Sequence, residues 1–374
     1  MTRTTPSHLS IVLLLAAVAA CHWSVEPDTR AGGHQPVVTD LMALLDSRPD
    51  LRDGLTEAID AAGVQGIDSL DAFYRHVDEL VTWIPVEREA APKVLSLHYV
   101  VNQAPDDALN EDQAFSDWLG RVAAAWGSFL DTPASAAGIE SFASLPQFNV
   151  DDYFAGPSGW QTSNQFFARE IRPGKRPIEA PGDDTVIVSP ADATFMGAWP
   201  IDERSAITVK GARWPIADLL DGSPHAGAFA GGIYAHSFLD VTDYHRFHVP
   251  VAGVIREVRN VHGRVYLDVV RNPDGSLGSV DGDTFQFNQE RGLVIIESPT
   301  AGLVAVVPVG MTLISSVVLE PEPGAGLRKG DELGYFQFGG SDIVLLFQEP
   351  VALEAETGTK YLQGQRIGRV GPRN

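Results

Sequence analysis

Phe336-Gln-Phe-Gly-Gly-Ser-Asp-Ile-Val-Leu-Leu-Phe347 combines a glycine pair and a serine with an apolar run typical of a buried strand. Gly339 and Gly340 carry no Cβ, so the backbone there can bend and leave the next carbonyl open to attack. The hydroxyl of Ser341 could therefore reach the carbonyl of Gly340 in its own chain, which suits self-cleavage as well as attack on a substrate. Gly-Gly-Ser is also typical of a turn or bulge where a strand begins, so this stretch alone leaves both interpretations open.

Two other segments carry side chains that could activate this serine. Asp243-Tyr-His-Arg-Phe-His-Val-Pro250 contains His245 and His248, which face opposite sides of an extended strand but could share one cavity at a bend. Val188-Ser-Pro-Ala-Asp-Ala193 places Asp192 just after an apolar run. Serine, histidine and aspartate are the minimum set for a nucleophile, its base and the group that orients the base.

An ordered series of motifs from Phe166 to Phe347 resembles the phosphatidylserine decarboxylases, which are pyruvoyl-dependent enzymes made as self-cleaving precursors. The motifs that carry the resemblance, in chain order, are Phe166-Phe-Ala-Arg-Glu-Ile-Arg-Pro-Gly-Lys-Arg-Pro177, Ser189-Pro-Ala-Asp192, Val209-Lys-Gly211, Asp243-Tyr-His-Arg-Phe-His-Val-Pro250, Asn288-Gln-Glu-Arg291, Lys329-Gly-Asp-Glu-Leu-Gly-Tyr-Phe336 and Phe338-Gly-Gly-Ser341. Any one of them could arise by chance, but their shared order makes coincidence a poor explanation.

The resemblance implies self-cleavage between Gly340 and Ser341. In this scheme His248 removes the hydroxyl proton of Ser341, and Asp192 orients the imidazole and stabilises its charge. The serine oxygen attacks the Gly340 carbonyl, an ester forms, and elimination followed by hydrolysis leaves a pyruvoyl group at residue 341. The two products are expected to stay together because Ile343–Phe347 would be a buried strand.

The resemblance also implies a second reaction, in which the pyruvoyl group forms a Schiff base with a substrate amine and drains electrons as CO2 leaves. His245 is the expected proton donor to the resulting carbanion. Arg246 and Tyr244 are candidate substrate-binding residues, although Arg246 could equally point to solvent. The self-made pyruvoyl group is the expected cofactor, and no metal is expected.

The segments before Phe166 resemble the N-terminal domain of the tryptophan-decarboxylase-like members of this group. They are His98-Tyr-Val-Val-Asn-Gln-Ala-Pro105 and Trp126-Gly-Ser-Phe-Leu-Asp-Thr-Pro133. The resemblance therefore leaves two substrates open, namely phosphatidylserine and a free aromatic amino acid such as tryptophan. The expected protomer is a cleaved pair of chains, which could form a homodimer.

Three positions depart from the family pattern. Asp342 stands where the family usually has serine or threonine, Ile314-Ser-Ser316 replaces a Val-Gly-Ser segment, and Gln289 is inserted. A carboxylate at position 342 could repel the oxyanion that forms during self-cleavage, or it could act as an extra acid or base. The other two departures concern local substrate contacts.

The formal net charge of −22 argues against nucleic acid as a partner. It does not exclude a local basic patch, which Arg169, Arg172, Lys175 and Arg176 could form, but a solvated loop explains them equally simply.

The N-terminus has the features of an export signal, with Arg3 and the amino terminus ahead of the apolar run at residues 9–20. Val18-Ala-Ala-Cys21 resembles the lipobox of bacterial lipoproteins, which predicts lipidation at Cys21, loss of residues 1–20 and a lipid anchor in the cell envelope. The run is short for a membrane span. Residues 22–38 are expected to be a flexible tether. An ordinary signal peptide with a chance cysteine is the alternative.

The hydrophobic pattern predicts an α+β protein, with a helical domain over residues 39–150 and a β-rich decarboxylase domain over 166–374. Apolar residues recur at helical spacing around Leu41 and Leu119, and the stripe of Trp118, Trp126 and Phe129 is expected to be core. One short helix is predicted at Ile216–Leu220. The predicted strands are Val186–Val188, Gly253–Val258, Arg264–Val270, Leu293–Glu297, Leu303–Val309, Leu313–Leu319 and Ile343–Phe347.

Other functions are compatible with parts of this pattern. An uncleaved binding or scaffold lipoprotein could keep the fold without activity, and Asp342 is the residue that favours it. A serine hydrolase would normally place its nucleophile in a Gly-x-Ser-x-Gly elbow, which Ser341 lacks. A metal site at His245 and His248 would need a third clear ligand.

Overall fold

The computed structural model describes residues 33–209, 211–279, 285–311, 313, 316–337 and 341–371. The predicted signal segment with Cys21, most of the predicted tether, and Gly340 lie outside the described residues. The predicted α+β class is confirmed, since helices fill the N-terminal part and strands dominate from residue 186 onward.

Most of the helices bury apolar faces against one another, whereas the short helix at Ile216–Leu220 packs against strand residues. The helices are α1 Pro36–Ser47, α2 Pro49–Ala62, α3 Leu70–Leu80, α4 Glu87–Val101, α5 Ala108–Glu111, α6 Gln113–Leu130, α7 Ile139–Ala143, α8 Ser163–Phe167 and α9 Ile216–Leu220. Helix α9 matches the predicted short helix. Helix α1 begins inside the stretch expected as a tether, and Val37 and Val38 are buried in the helical core, so the tether prediction was wrong for those residues.

Helix α6 explains the predicted tryptophan stripe. The side chain of Asp112 caps its first turn by accepting a hydrogen bond from the Phe115 N–H. Trp118 and Trp126 are buried, and their indole N–H groups donate to the carbonyls of Val37 and Trp83 at 2.9 and 3.0 Å. Both rings are therefore core residues with satisfied polar atoms, as predicted. In the part of the chain that the structure describes, no helix is long and apolar enough to span a membrane.

The strands form one large antiparallel sheet and several small ones. They are β1 Tyr153–Phe154, β2 Glu170–Ile171, β3 Val186–Val188, β4 Ala193–Pro200, β5 Ala206–Val209, β6 Ala212–Pro215, β7 Ile233–Leu239, β8 Arg246–His248, β9 Gly253–Val261, β10 Val269–Arg271, β11 Leu277–Ser279, β12 Arg291–Ser298, β13 Gly302–Gly310, β14 Val317–Leu319, β15 Gly326–Leu327, β16 Glu332–Phe336, β17 Ser341–Phe347, β18 Val351–Leu353, β19 Lys360–Tyr361 and β20 Arg366–Val370. The large sheet has the order β15-β9-β12-β13-β17-β7-β4-β19.

Strand β17 lies inside this sheet, between β13 and β7, and every one of its residues is buried. Ile343, Leu345 and Phe347 pack into the core on one face of the sheet. Val344 and Leu346 pack into the core on the other face. Ser341 opposes Gly310 on one side and Leu239 on the other, so the serine occupies the first position of a strand held on both edges.

One predicted strand folds differently. Most of Arg264–Val270 does not join a sheet, and only Val269 and Val270 enter a two-stranded hairpin, β10 with β11. Its alternating apolar side chains, Val265, Leu267 and Val269, instead join the core of the helical domain. The segment was predicted as a strand, but its apolar face packs against helices and not against a sheet. Of Leu313–Leu319, the structure shows β14 at Val317–Leu319, and residues 314 and 315 lie outside the described residues.

Candidate active site

Ser341 and His245 form the centre of the site. Both side chains are fully buried, and the Ser341 Oγ lies 3.2 Å from His245 Nδ1. Ser341 is the first residue of β17. His245 lies just before β8, and β8 belongs to a different sheet. The fold therefore brings together two residues that are far apart in the chain, and it places an imidazole against the predicted nucleophile.

The other side of the imidazole shows which nitrogen carries the proton. His245 Nε2 lies 2.9 Å from the carbonyl oxygen of Asp240. A carbonyl oxygen can only accept, so Nε2 must be the protonated nitrogen, and Nδ1 presents its lone pair to the Ser341 hydroxyl. The main chain at Asp240 thus has the orienting role that a carboxylate has in a serine–histidine–aspartate triad.

Aromatic packing holds the His245 ring in place. The ring of Phe167 is stacked on it, with centroids 3.9 Å apart, and Phe336 meets it edge-on at 6.3 Å. Phe167 ends helix α8, which is anchored to the helical domain because Ser163 donates to the Ser135 carbonyl at 2.8 Å. The helical domain therefore helps to position the base.

The electrostatics of the site favour a neutral imidazole. Burial, and secondly the charge of Arg169, lowers the pKa of His245 from 6.5 to about 3. The Arg169 guanidinium is itself buried and donates to the carbonyls of Thr242 and Asp243 at 2.9 and 2.8 Å. It thereby fixes the loop between Asp240 and His245. A histidine that stays neutral near pH 7 is free to accept the serine proton.

Among the described residues, the ring nitrogens of His248 are hydrogen-bonded to Tyr244 and Gly330 and not to Ser341, so the role of His248 as the base stays a prediction. Its Nε2 accepts a hydrogen bond from the Tyr244 hydroxyl at 3.1 Å, and its Nδ1 donates to the Gly330 carbonyl at 3.0 Å. Both ring nitrogens are therefore occupied. The two histidines separate because His248 ends the extended strand β8, whereas His245 lies just before it.

Among the described residues, the hydrogen bonds of Asp192 come from Arg176 and Gln363 and not from either histidine, so its role as the orienting group of the triad stays a prediction. Its carboxylate takes a bidentate contact from Arg176, with distances of 2.6 to 3.0 Å, and a hydrogen bond from the Gln363 N–H at 2.8 Å. A guanidinium fork matches a carboxylate better than an imidazole does. Asp192 acts on His248 only as a nearby charge that raises its pKa, and burial outweighs that effect.

The two candidate substrate-binding residues are engaged within the protein. Arg246 pairs with Glu332, donates to the Ala168 carbonyl at 2.8 Å and lies over the Tyr335 ring. Tyr244 is buried against His248. Their roles in substrate binding stay predictions, and an anion at Arg246 would have to compete with Glu332.

The predicted basic cluster divides into two halves. Arg169 and Arg176 are inward-facing side chains with the partners described above, whereas Arg172 and Lys175 are exposed. Sequence reasoning missed the structural roles of the first pair, together with the Asp240 carbonyl and Phe167. No sequence pattern shows which main-chain carbonyl will accept a hydrogen bond. The Phe-Phe-Ala-Arg start of the first motif was, however, an available signal for Phe167 and Arg169.

Buried neutral histidines predict loss of stability in acid. Burial is the first cause that lowers the pKa of His76, His98 and His248 to about 4 and that of His245 to about 3. Below the unfolded value of 6.5 the unfolded chain binds protons that the folded chain does not, so stability falls as the pH drops towards 4. We expect a loss of several kcal/mol between pH 7 and pH 4.5 in urea denaturation. Equal stability at the two pH values would contradict the account.

Within the described ranges, no three His, Cys, Asp or Glu side chains are grouped closely enough to hold a metal ion.

Comparison with known proteins adds independent information. A family model described as phosphatidylserine decarboxylase matches residues 163–369. The chain is 33% identical over 240 residues to phosphatidylserine decarboxylase proenzyme 2 of Oryza sativa, a match that covers 64% of this chain and 38% of the plant protein. It is 32% identical over 242 residues to a phosphatidylserine decarboxylase proenzyme of Bacillus cereus, covering 64% of this chain and 88% of that one. A proenzyme of the same name from Fusobacterium nucleatum is 28% identical over 261 residues, a match that covers 68% of this chain and 77% of that protein.

The match spans 38%, 25% and 22% of the length of three eukaryotic relatives, so those proteins contain large regions outside it. The family match nevertheless covers more than half of this chain and includes Asp192, both motif histidines and Ser341. The chain belongs to the phosphatidylserine decarboxylase family.

Proposed function

We propose that the chain is a pyruvoyl-dependent decarboxylase that first cleaves itself between Gly340 and Ser341. The observation that carries this proposal is the buried contact between the Ser341 hydroxyl and the bare Nδ1 of His245. A serine that only begins a strand has no need of a buried imidazole against its hydroxyl. The relatives' names support the proposal, since each calls its protein a proenzyme.

In the first step, the Ser341 oxygen attacks the carbonyl carbon of Gly340 while its proton passes to His245 Nδ1. The bond between that carbon and the nitrogen of residue 341 breaks, the nitrogen takes up a proton, and an ester links the two residues. Loss of the α-hydrogen of residue 341 then expels the Gly340 carboxylate. Water replaces the nitrogen, ammonia leaves, and residue 341 becomes the pyruvoyl group.

The surroundings of residue 341 fit this group. Pyruvoyl keeps the carbon atoms of the serine, so it needs no additional room in the buried site, and the strand pairing of β17 with β13 and β7 does not involve the serine side chain. When present, the group supplies a carbonyl that condenses with a substrate amine and accepts electrons as CO2 leaves. His245 Nδ1 faces the same atoms, so we assign it the return of a proton to the carbon that has lost CO2.

The cleaved chains have strong reasons to stay associated. The segment after the cut contributes β17, β18, β19 and β20, which pair with β13 and β7, with each other, with β4 and with β3. Lys360 of this segment also forms an ion pair with Asp243, two residues before His245. The mature protomer is therefore a cleaved pair of chains; a homodimer of such pairs stays a prediction.

Two substrates remain in the proposal. The relatives' names favour phosphatidylserine as the substrate, which would give phosphatidylethanolamine. The resemblance of the helical domain to tryptophan-decarboxylase-like proteins favours a free aromatic amino acid. Release of labelled CO2 from carboxyl-labelled phosphatidylserine in vesicles, compared with carboxyl-labelled tryptophan, distinguishes them. Release from neither substrate by cleaved protein would refute both assignments.

Export and a lipid anchor at Cys21 are part of the same proposal, supported by the apolar run and the lipobox-like segment. An anchor would hold the enzyme at a bacterial envelope membrane, beside a phospholipid substrate. The test compares the incorporation of a labelled fatty acid into the wild-type chain and into Cys21→Ser. Equal incorporation into the two chains would rule the anchor out.

The alternative function is an uncleaved binding or scaffold lipoprotein that keeps the fold without activity. It predicts one uncut chain, and the preserved contact between Ser341 and His245 gives it no support.

A further inference from the structure

The loop between β7 and β8 holds a buried carboxylate, that of Asp243. The loop leaves β7 after Leu239 and reaches His245 just before β8 begins. Asp243 is 4% exposed. A carboxylate in such a place needs compensation, because an isolated buried charge is very costly.

Part of the compensation comes from the main chain at Asp240. The Oδ2 atom of Asp243 accepts a hydrogen bond from the Asp240 N–H at 3.0 Å, and the Asp243 N–H donates to the Asp240 carbonyl at 2.8 Å. Two hydrogen bonds therefore close this turn in opposite directions. The same Asp240 carbonyl accepts the proton of His245 Nε2 at 2.9 Å. The Asp243 side chain thus fixes the residue whose carbonyl orients the imidazole.

The other oxygen of this carboxylate faces a cation. Lys360 Nζ forms an ion pair with Asp243 Oδ1. The sheet brings the two together, since Thr194 of β4 pairs with Phe238 of β7 on one side and with Lys360 of β19 on the other. Burial raises the pKa of Asp243, and the half-exposed Lys360 ammonium opposes that effect.

We propose that Asp243 is a positioning residue for the base His245, and that Lys360, in the segment after the cut, holds the Asp243 carboxylate in place for this role. The inference deepens the proposed self-cleavage and rests on it. Both partners of the carboxylate are donors, so an amide, with a single accepting oxygen, cannot satisfy the two together. The segment that becomes the shorter chain therefore helps to position the base of the longer one.

The first test compares cleavage rates after a short cell-free synthesis of the full-length chain, with the fragments separated on a gel. Asp243→Asn should cleave about 10- to 100-fold more slowly than the wild type, because a displaced catalytic group loses rate steeply. Asp202→Asn is the matched control. Asp202 also accepts from main-chain N–H groups, those of Arg204 and Ala206, and pairs with Arg213, so its loss should leave the rate unchanged. A wild-type rate in Asp243→Asn would overturn the inference.

The second measurement detects the position of the base without any cleavage. Nitrogen NMR of the uncut Ser341→Ala chain, with isotope-labelled histidine, distinguishes protonated from bare ring nitrogens, and adding His245→Gln identifies the signals of His245. We expect a single tautomer, protonated at Nε2, which becomes a mixture when Asp243→Asn is added. Unchanged His245 signals in that variant would mean that Asp243 has only a structural role, and would refute the proposal.

Lys360→Met and Lys360→Arg decide the matter if Asp243→Asn does not fold. Lys360 is half-exposed, so both variants should fold. Lys360→Met should slow cleavage by about three- to fivefold, the effect of an ion pair that lies partly in water. Lys360→Arg keeps a donor for the carboxylate and should cleave at the wild-type rate. No slowing in Lys360→Met, or equal slowing in both variants, would contradict the proposed role of Lys360.

Failure of this inference can be distinguished from failure of the proposed function. A wild-type chain that is never cut would overturn the proposed self-cleavage. The NMR comparison would then decide alone whether Asp243 positions the imidazole of His245.

Discussion

Ser341→Ala is expected to leave one uncut chain without decarboxylase activity. The substitution removes the only atom that could attack the preceding carbonyl, and with it the source of the pyruvoyl group. The fold should survive, because Ser341 is held by main-chain pairing with Gly310 and Leu239, and among the described residues its hydroxyl bonds to His245 alone. Loss of one buried hydrogen bond costs about 1 kcal/mol.

Gel electrophoresis measures the loss of cleavage, and the release of labelled CO2 measures the loss of decarboxylase activity. Ser298→Ala is a matched control, since Ser298 is also a buried serine on a strand of the large sheet. The control should be cleaved and active. A Ser341→Ala protein that is cut at the same place and active would remove Ser341 from the mechanism.

His245→Gln is expected to slow self-cleavage by a factor of about 10² to 10⁴, the usual range for loss of a general base. Glutamine can fill much of the space between Phe167 and Phe336 but cannot take up the hydroxyl proton. A time course of fragment formation by the purified or freshly synthesised chain measures the rate. Circular dichroism confirms that the variant is folded.

His248→Gln distinguishes the two histidines. His248 contacts Tyr244 and the Gly330 carbonyl, so we expect its loss to reduce stability and to leave the cleavage rate within about tenfold of the wild type. The sequence alone favoured the opposite assignment, with His248 as the base and His245 needed only for decarboxylation. Normal cleavage in His245→Gln together with a block in His248→Gln would restore that assignment.

Local patterns were sufficient where one segment determines its own structure. Ile343–Phe347 is apolar at every position, which is typical of a strand buried on both faces, and it forms the inner strand β17. The short helix at Ile216–Leu220 and the buried stripe of Trp118 and Trp126 were predicted for the same reason. In each case the residues themselves carry the periodicity or composition that decides the outcome.

The partners within the site could not be predicted in this way. His245 and His248 are equivalent as residue types, and the choice between them depends on the Asp240 carbonyl, the Phe167 ring and the path of β8. Asp192 was a reasonable candidate for the orienting group from its residue type, but in the structure its carboxylate is bound by Arg176. These contacts join segments separated by many residues, and a single sequence does not show how such segments are aligned against each other in the fold.

Asp342 shows the same limit at a single position. Its type suggested a perturbing charge beside the nucleophile, but its side chain lies on the opposite face of the strand, against His236 and Gln286. Alternation along β17 explains that direction once the strand has been established. The identity of the partners depends on β7 and on the turn at Phe285–Phe287, neither of which is near Asp342 in the chain.

The most direct test of self-cleavage is an intact mass spectrum of the purified protein, recorded with and without borohydride or hydroxylamine. The account predicts two chains, one ending at Gly340 and one spanning residues 341–374, with the mass of the second changed by either reagent at its pyruvoyl group. A single uncut chain whose mass neither reagent changes would contradict the account.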